Sequence, residues 1–237
     1  MRFPAPLIRA TLVKRYKRFL ADVILADGRE VTAHVANSGA MLGTASPGME
    51  VWLSSAANPK RKLPYSWELV RADGVLVGVN TAHPNAIAEE AIKGGAIAEL
   101  TGYQRIRREV KYGVNSRIDI LLEGDDRPPC YVEVKNVHLK RGDWAEFPDA
   151  VTVRGTKHLR ELRDQVAQGA RAVMLYLIQR EDCVGFRPAA DIDPTYAAGL
   201  WAAMEDGVEA ICYTCHMSIE AISLGSPLPI ERQRTKS

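Results

Sequence analysis

Asp119, Glu133 and Lys135 stand in two apolar, strand-like segments, "SRIDILLEG" and "CYVEVKNVHL", joined by the turn-forming run "DDRPP". Side chains alternate along a strand, so Tyr131, Glu133 and Lys135 share one face and Val132 and Val134 the other. A hairpin centred on Asp126 sets Asp119 opposite Glu133 and Arg117 opposite Lys135. Like charges facing each other across a sheet are destabilising, so the pair calls for a cation, either a protein side chain or a bound metal. Two carboxylates and a lysine are the equipment of metal-assisted phosphodiester hydrolysis. A hard Mg²⁺ or Mn²⁺ ion prefers carboxylate oxygens and activates water, while the lysine orients the nucleophile and offsets charge on phosphorus. The competing reading has Lys135 and Arg117 simply neutralising the acids at a sheet edge.

The elements that would position these residues follow from periodicity. "NAIAEEAIKGGAIAEL" turns helical after "VNTAHPN", with Asn85 as N-cap and Gly94-Gly95 weakening or splitting the helix. Three strands follow: "YQRIRREVKY", "SRIDILLEG" and "CYVEVKNVHL". A loop then leads to the helix "TKHLRELRDQVAQG" and the apolar strand "RAVMLYLIQR". This α-β-β-β-α-β order, with D…ExK on its second and third strands, is the core of the PD-(D/E)xK nuclease-like fold. In that fold the first helix often supplies another acid, and Glu89 or its neighbour Glu90 fills the place. The loop "FPDAVTVRGTKHL" carries polar groups to a helix start, where backbone N–H groups and the cations Lys157 and His158 suit a phosphate. A further helix, "TYAAGLWAAMEDG", and a strand, "VEAICYTCHMSIEAISL", complete a second domain over residues 83–237, and the polar tail "ERQRTKS" is expected to be disordered.

Residues 1–82 read differently. Short alternating runs with turns at Asp27-Gly28, Ser46-Pro47-Gly48 and Asp73-Gly74 predict a small β-barrel. The chain's net charge of +2 hides a basic excess here, 11 Lys/Arg against 6 Asp/Glu. "LVKRYKRFLADV" interleaves Lys14, Arg15, Lys17 and Arg18 with Tyr16 and Phe19, and "NPKRKLPYSW" sets Lys60, Arg61 and Lys62 before Tyr65 and Trp67. Cations beside aromatics are what a barrel uses to hold nucleic acid, with salt-sensitive affinity. The bland alternative is a solvated basic strand whose aromatics, Phe19 above all, belong to the barrel core.

The four cysteines are too few for a disulfide framework, and Cys212-Tyr213-Thr214-Cys215-His216, although it spells a haem-attachment motif, lies in a run that reads as a buried strand. No export-signal pattern or bilayer-length apolar stretch is present, so a cytoplasmic protein without membrane function is expected. No phosphate loop, nucleophile elbow or dinucleotide fingerprint supports small-molecule chemistry.

Taken together, "GVNT…PN", "SRIDILL", "YVEVKNVHL", "FPDAVTVRGTKHLREL" and "GVEAICYTCHMS" make the chain resemble the sugar fermentation stimulation protein (SfsA) family over nearly its whole length. The resemblance implies a two-domain α+β protein, an N-terminal OB-fold β-barrel followed by a PD-(D/E)xK nuclease-like α/β domain. It also implies DNA binding largely without sequence preference, and a regulatory link to sugar (maltose) metabolism. The family pattern carries over intact, with metal-binding acids at Asp119 and Glu133 and the lysine at Lys135. Two functions stay open: a nonspecific binder of DNA, single- or double-stranded, or of RNA, and a Mg²⁺/Mn²⁺-dependent nuclease using Asp119, Glu133 and Lys135.

Overall fold

The computed structural model describes residues 1–232 except 57, 59 and 114. The end of the tail, residues 233–237, for which disorder was expected, lies outside the described residues. Six strands open the chain: β1 Ile8–Tyr16, β2 Leu20–Leu25, β3 Glu30–His34, β4 Glu50–Ser55, β5 Tyr65–Ala72 and β6 Val75–Gly78. β1 pairs with both β2 and β4, β4 pairs with β5, and the parallel pairs Ala33↔Tyr65 and His34↔Ser66 join β3 to β5. The first five strands therefore close into a barrel, the OB-fold. A register shift between Leu12 and Lys14 supplies the local twist that closure needs. Leu12, Val23, Val35, Leu53 and Trp67 fill the interior, and the Trp67 indole N–H donates to Leu69 O at 2.9 Å.

The second unit starts with helix α1, Pro84–Lys93, and a 3₁₀ turn, Ala98–Leu100. Gly94-Gly95, expected to weaken or split a helix running on to Leu100, end it instead, with Gly95 at φ +69° and only the 3₁₀ turn beyond. His83, not Asn85, takes the N-cap position, and its side chain makes no capping bond. Then come β7 Arg105–Tyr112, β8 Ser116–Glu123, β9 Cys130–Val137, β10 Leu139–Arg141, β11 Trp144–Phe147, α2 Val153–Ala167, β12 Arg171–Ile178, β13 Gly185–Pro188, α3 Pro194–Glu205, β14 Glu209–Met217 and β15 Ile222–Pro227. The large sheet has the order β15-β14-β12-β9-β8-β7, with β9, β12 and β14 parallel. Its two faces read directly from alternation. Val132, Val134, Val173 and Leu175 pack under Ile87 and Ile92 of α1, while Met174, Tyr176 and Ile178 pack under Leu159 and Leu162 of α2 and Leu200 of α3. This is the nuclease-like α/β domain.

The stretch expected to be a plain loop after β9 instead forms β10 and β11, which join β13 in a separate three-stranded sheet. "LKRGDWAEF" hides its strands because Lys140, Arg141 and Glu146 are satisfied by ion pairs with Asp182, Asp191 and Arg187, contacts distant in sequence. Cys212 and Cys215 are buried on opposite faces of the large sheet, one in each core, so the haem-like motif converges on nothing.

The two units share a core, because Trp52 and Leu69 of the barrel pack into the cluster beneath α1. Gly78 N–H donates to Gln179 O at 2.9 Å, and Arg180, almost fully buried, reaches Asp73 at 2.8 Å. The first residues belong with the second unit. Met1 N and Phe3 N donate to Ile222 O and Glu220 O, beside the bridge Arg2↔Ala221.

Candidate nucleic-acid and metal site

A cleft of about 440 Å³ opens where the barrel meets the nuclease-like domain. Its lining includes Arg18 and Gly39 from the barrel, Asn85 from α1, Asp119, Glu133 and Lys135 from the sheet, and Asp149 and Arg154 from the approach to α2. The carboxylates reach it by a route the hairpin reading did not foresee. The β8–β9 ladder has Ile120↔Val132, Leu121↔Tyr131 and Leu122↔Cys130, the register of a turn centred on Asp126. It stops there, so Asp119–Glu133 and Arg117–Lys135 are not ladder pairs. Ile118 packs in the core beneath α2 and Ile120 in the core beneath α1, so alternation slips at Asp119. Across on β7, Glu109 stands at φ +53°, a left-handed conformation in a strand. The irregularity turns the Asp119 carboxylate onto the Val134 amide, which donates to Oδ2 at 2.8 Å, and Asn85 Nδ2 donates to Oδ1 at 2.8 Å.

Glu133 is 2% exposed. Lys135 Nζ lies 2.7 Å from its Oε1, and His158 Nδ1 contacts the same oxygen. Arg154 Nε donates to His158 Nε2 at 3.3 Å. A guanidinium can only donate, so Nε2 accepts and the proton of a neutral imidazole sits on Nδ1, directed at Glu133. Burial pushes the Asp119 carboxyl above the usual carboxylate range, and the neighbouring Glu133 charge adds to it. Burial acts on Glu133 in the same sense, but Lys135 and His158 outweigh it and hold that carboxyl low.

Asp119 and Glu133 are therefore the groups that could hold a metal. Among the described residues no cluster of three or more His, Cys, Asp and Glu side chains offers a fuller cage. The pair suits a hard cation that keeps several water ligands. Glu133 Oε2 is buried without a hydrogen-bond partner, and the adjacent Asp119 carries a like charge, so a divalent cation would satisfy the one and relieve the other.

Other expected residues lie elsewhere. Glu89 pairs with Lys93 at 2.6 Å and Arg108 at 3.4 Å, and Glu90 with the N-terminal amine at 2.8 Å; neither lines the cleft. Asn85, two turns or less before them, is what α1 presents to Asp119. His158 is buried against Glu133 and has no surface to offer DNA, while Lys157 lies 3.5 Å from Glu161. Arg15, expected to contact DNA, is used within the barrel. Its guanidinium donates to Arg18 O, Asn37 O, Gly39 O and Ala40 O. Lys14 and Tyr16 converge on Asp22. Lys17 and Arg18 are exposed, and Arg18 lines the cleft. Lys60, Arg61 and Lys62 are exposed on the β4–β5 loop, outside the cleft lining. Trp67 is core, and Phe19, expected to be core, is 46% exposed because it sits in the turn between β1 and β2 rather than on a strand.

Asp149, in the loop "FPDAVT" ahead of α2, has a role that its local sequence does not announce. Its Oδ2 accepts from Met41 N–H at 2.7 Å and lies 3.2 Å from His138 Nε2, tying the α2 approach to the barrel. Thr152 caps α2, its Oγ1 accepting from Gly155 N–H at 3.0 Å.

Comparison with known proteins accords with this architecture. The family model described as "SfsA N-terminal OB domain" matches residues 13–79, and that described as "Sugar fermentation stimulation protein RE domain" matches residues 82–221. A sugar fermentation stimulation protein homolog of Paramagnetospirillum magneticum is 73% identical over 231 residues, covering 98% of each chain. Another, from Rhodospirillum centenum, is 63% identical over 229 residues, covering 96% of this chain and 98% of that one. The solved structure of Pyrococcus furiosus SfsA in complex with Ca²⁺ superposes with a TM-score of 0.89 at 29% identity, covering 98% of both chains. Over both its domains, this chain belongs to the sugar fermentation stimulation protein family.

Proposed function

We propose that the protein binds nucleic acid across the cleft between barrel and nuclease-like domain and hydrolyses its phosphodiester bonds with Mg²⁺ or Mn²⁺. The observation that carries this reading is the buried, unpartnered Oε2 of Glu133 beside Asp119 at the base of an open cleft that also holds Arg18, Lys135 and Arg154. The Ca²⁺ complex of the P. furiosus relative supports a divalent cation here. Asp119 and Glu133 would hold the ion, which when bound supplies Lewis-acid activation of water and charge neutralisation at phosphorus. The chain's own residues prepare the site. Asn85 and the Val134 amide hold the Asp119 carboxylate in one orientation. The His158 N–H occupies Oε1 of Glu133, leaving Oε2 for the ion. Lys135, its side chain 12% exposed, stands where it can orient water or neutralise a phosphoryl oxygen. Arg18 and Arg154 at the cleft receive flanking phosphates.

A second reading, nucleic-acid binding without turnover, has its own support. Lys135 lies 2.7 Å from Glu133 and partly neutralises the acid with no metal at all. The regulatory link to sugar metabolism implied by the family requires only binding. The test incubates labelled single-stranded DNA, duplex DNA and RNA with Mg²⁺ or Mn²⁺, beside Glu133→Ala and an EDTA control, following binding and cleavage together. Metal-dependent cleavage, lost in Glu133→Ala while binding persists, is the expected result. Salt-sensitive binding with no cleavage under either metal would leave the second reading.

A further inference from the structure

Resting on the nucleic-acid reading above, we infer that the phosphate backbone runs on beyond the cleft, over the β7–β8 hairpin and the outer face of α2, where Lys111, Arg117 and Arg160 hold it.

The starting point is which cations the fold leaves without an acid. Along β7, Arg105, Arg107 and Arg108 pair with Asp125, Glu123 and Glu89 at 3.3, 3.7 and 3.4 Å. Most other Lys and Arg side chains of the nuclease-like domain are matched in the same way. Among its described residues, Lys111, Arg117, Arg154 and Arg160 meet no acid, and all of them are exposed. Arg117 Nη1 reaches the backbone oxygen of Glu109, not its carboxylate, at 3.4 Å. Arg154 Nε meets the His158 ring at 3.3 Å. Neither contact neutralises a guanidinium.

These cations are gathered on one surface. Lys111 and Arg117 are direct partners in the β7–β8 ladder, and with Gly113 and Ser116 they line a depression of about 400 Å³. Like charges placed opposite each other on a sheet repel, and an anion between them turns that repulsion into attraction. The hairpin is seated on α2. A Cβ on Gly113 would lie 2.9 Å from Glu161 Oε1, and Lys157 Nζ lies 3.5 Å from the same oxygen. Arg154, Lys157 and Arg160 follow at three-residue intervals on α2, so they are neighbours on the helix surface. They span about 9 Å of helix axis, the length of about two to three nucleotide steps.

Continuity with the cleft identifies the occupant. Arg154 lines the cleft that holds Asp119 and Glu133, and it is also the first cation of the α2 row. A backbone leaving the carboxylates past Arg154 meets Lys157 and Arg160 next, with the hairpin pair beside them. The row ends one turn on, where Arg163 pairs with Asp206 and Asp164 is exposed. Negative charges repeated at short intervals are what a nucleic-acid backbone carries, and contacts to phosphate add affinity without reading sequence.

The experiment measures affinity against salt by fluorescence anisotropy, with EDTA present. The ligands are a short oligonucleotide that the cleft alone can hold and one several times longer, each as single strand and duplex, and vesicles of anionic phospholipid. The proteins are the parent chain, Lys111→Ala/Arg117→Ala/Arg160→Ala, the charge-keeping Lys111→Arg/Arg117→Lys/Arg160→Lys, and Arg105→Ala. Arg105 is an exposed cation of the same strand that already pairs with Asp125. Losing three phosphate contacts lowers the log–log salt slope by about 2 on a single strand and about 2.7 on duplex. That drop is expected for the triple alanine variant on the long ligands alone, with parent slopes in the charge-keeping variant and in Arg105→Ala. An unchanged slope on the long ligands, equal drops on short and long, or the same drop per charge in Arg105→Ala would overturn the inference while leaving nucleic-acid binding intact. Absence of binding by the parent chain would overturn the functional reading and this inference with it. Lost vesicle binding with unchanged nucleic-acid slopes would give the patch to a lipid surface and equally overturn it.

Discussion

Replacing Gly39 with alanine isolates the joint between the two domains. An ideal Cβ on Gly39 would lie 2.4 Å from Asp149 Oδ1 and 2.6 Å from Oδ2, where ordinary contact begins near 3.4 Å. The carboxylate must then retreat by about 1 Å, and it cannot do so without stretching the 2.7 Å bond from Met41 N–H. Gly39 is not at positive φ, so alanine brings no backbone penalty and the effect is steric. Overpacking of this kind costs about 1–3 kcal/mol, and loss of a hydrogen bond to a charged group about 1.5–3 kcal/mol. The two are alternative outcomes of one clash, so about 2 kcal/mol is expected in urea unfolding of Gly39→Ala. Asp149→Ala removes the obstacle as well as the bond. In that background Gly39→Ala should cost almost nothing, giving a coupling of about 2 kcal/mol in the double-mutant cycle. If Gly39→Ala costs the same with and without Asp149, the close approach of this loop to the carboxylate is not what holds the joint.

Glu68 gives a pH prediction. Burial pushes its carboxyl up, but His83 at 2.6 Å, Ser54 at 2.5 Å and Asn80 at 2.7 Å outweigh that and hold it below the usual range. A carboxyl lowered on folding stabilises the native state above its unfolded value, about 4.3, and that stability is lost as pH falls through the lower folded value. Unfolding free energy should therefore drop with acid below about pH 4.5 more steeply in the parent chain than in Glu68→Gln; identical slopes would count against the network. Arg18→Ala should reduce the salt dependence of nucleic-acid binding by one phosphate, about 0.7 in the log–log slope for a single strand, with an unchanged slope placing Arg18 off the backbone path.

Much of the fold was legible because its determinants are local. The apolar runs of β8, β9 and β12, covered on both faces of the sheet, and the 3.6-residue periodicity of α2, which buries one side, are written in each segment's own residues. The turn at Asp126 set the hairpin register, and Gly94-Gly95, expected to weaken or split a helix running on to Leu100, end α1 outright. β10, β11 and β13 were not legible, since their charged residues are neutralised by partners tens of positions away. Asn85 looked like a cap because Asn ahead of an apolar periodic run has a strong local preference for that place, and its actual partner is 34 residues on.

At the site, the residue types and spacing of Asp119, Glu133 and Lys135, together with the family-wide motifs, determined which chemistry the chain could support and which class of fold would carry it. Tertiary structure alone decided which groups complete the site. Asn85 meets Asp119, His158 meets Glu133 across 25 residues, and Asp149 meets the barrel across 108. It also moved Glu89 and Glu90 away from the cleft, withdrew Arg15 into the barrel and left Phe19 in the open. The physical reason is one of range. Periodicity and turn chemistry act over a few residues and are written in each segment, whereas a hydrogen bond or a cleft wall depends on how segments dock, which the packing of the whole chain settles.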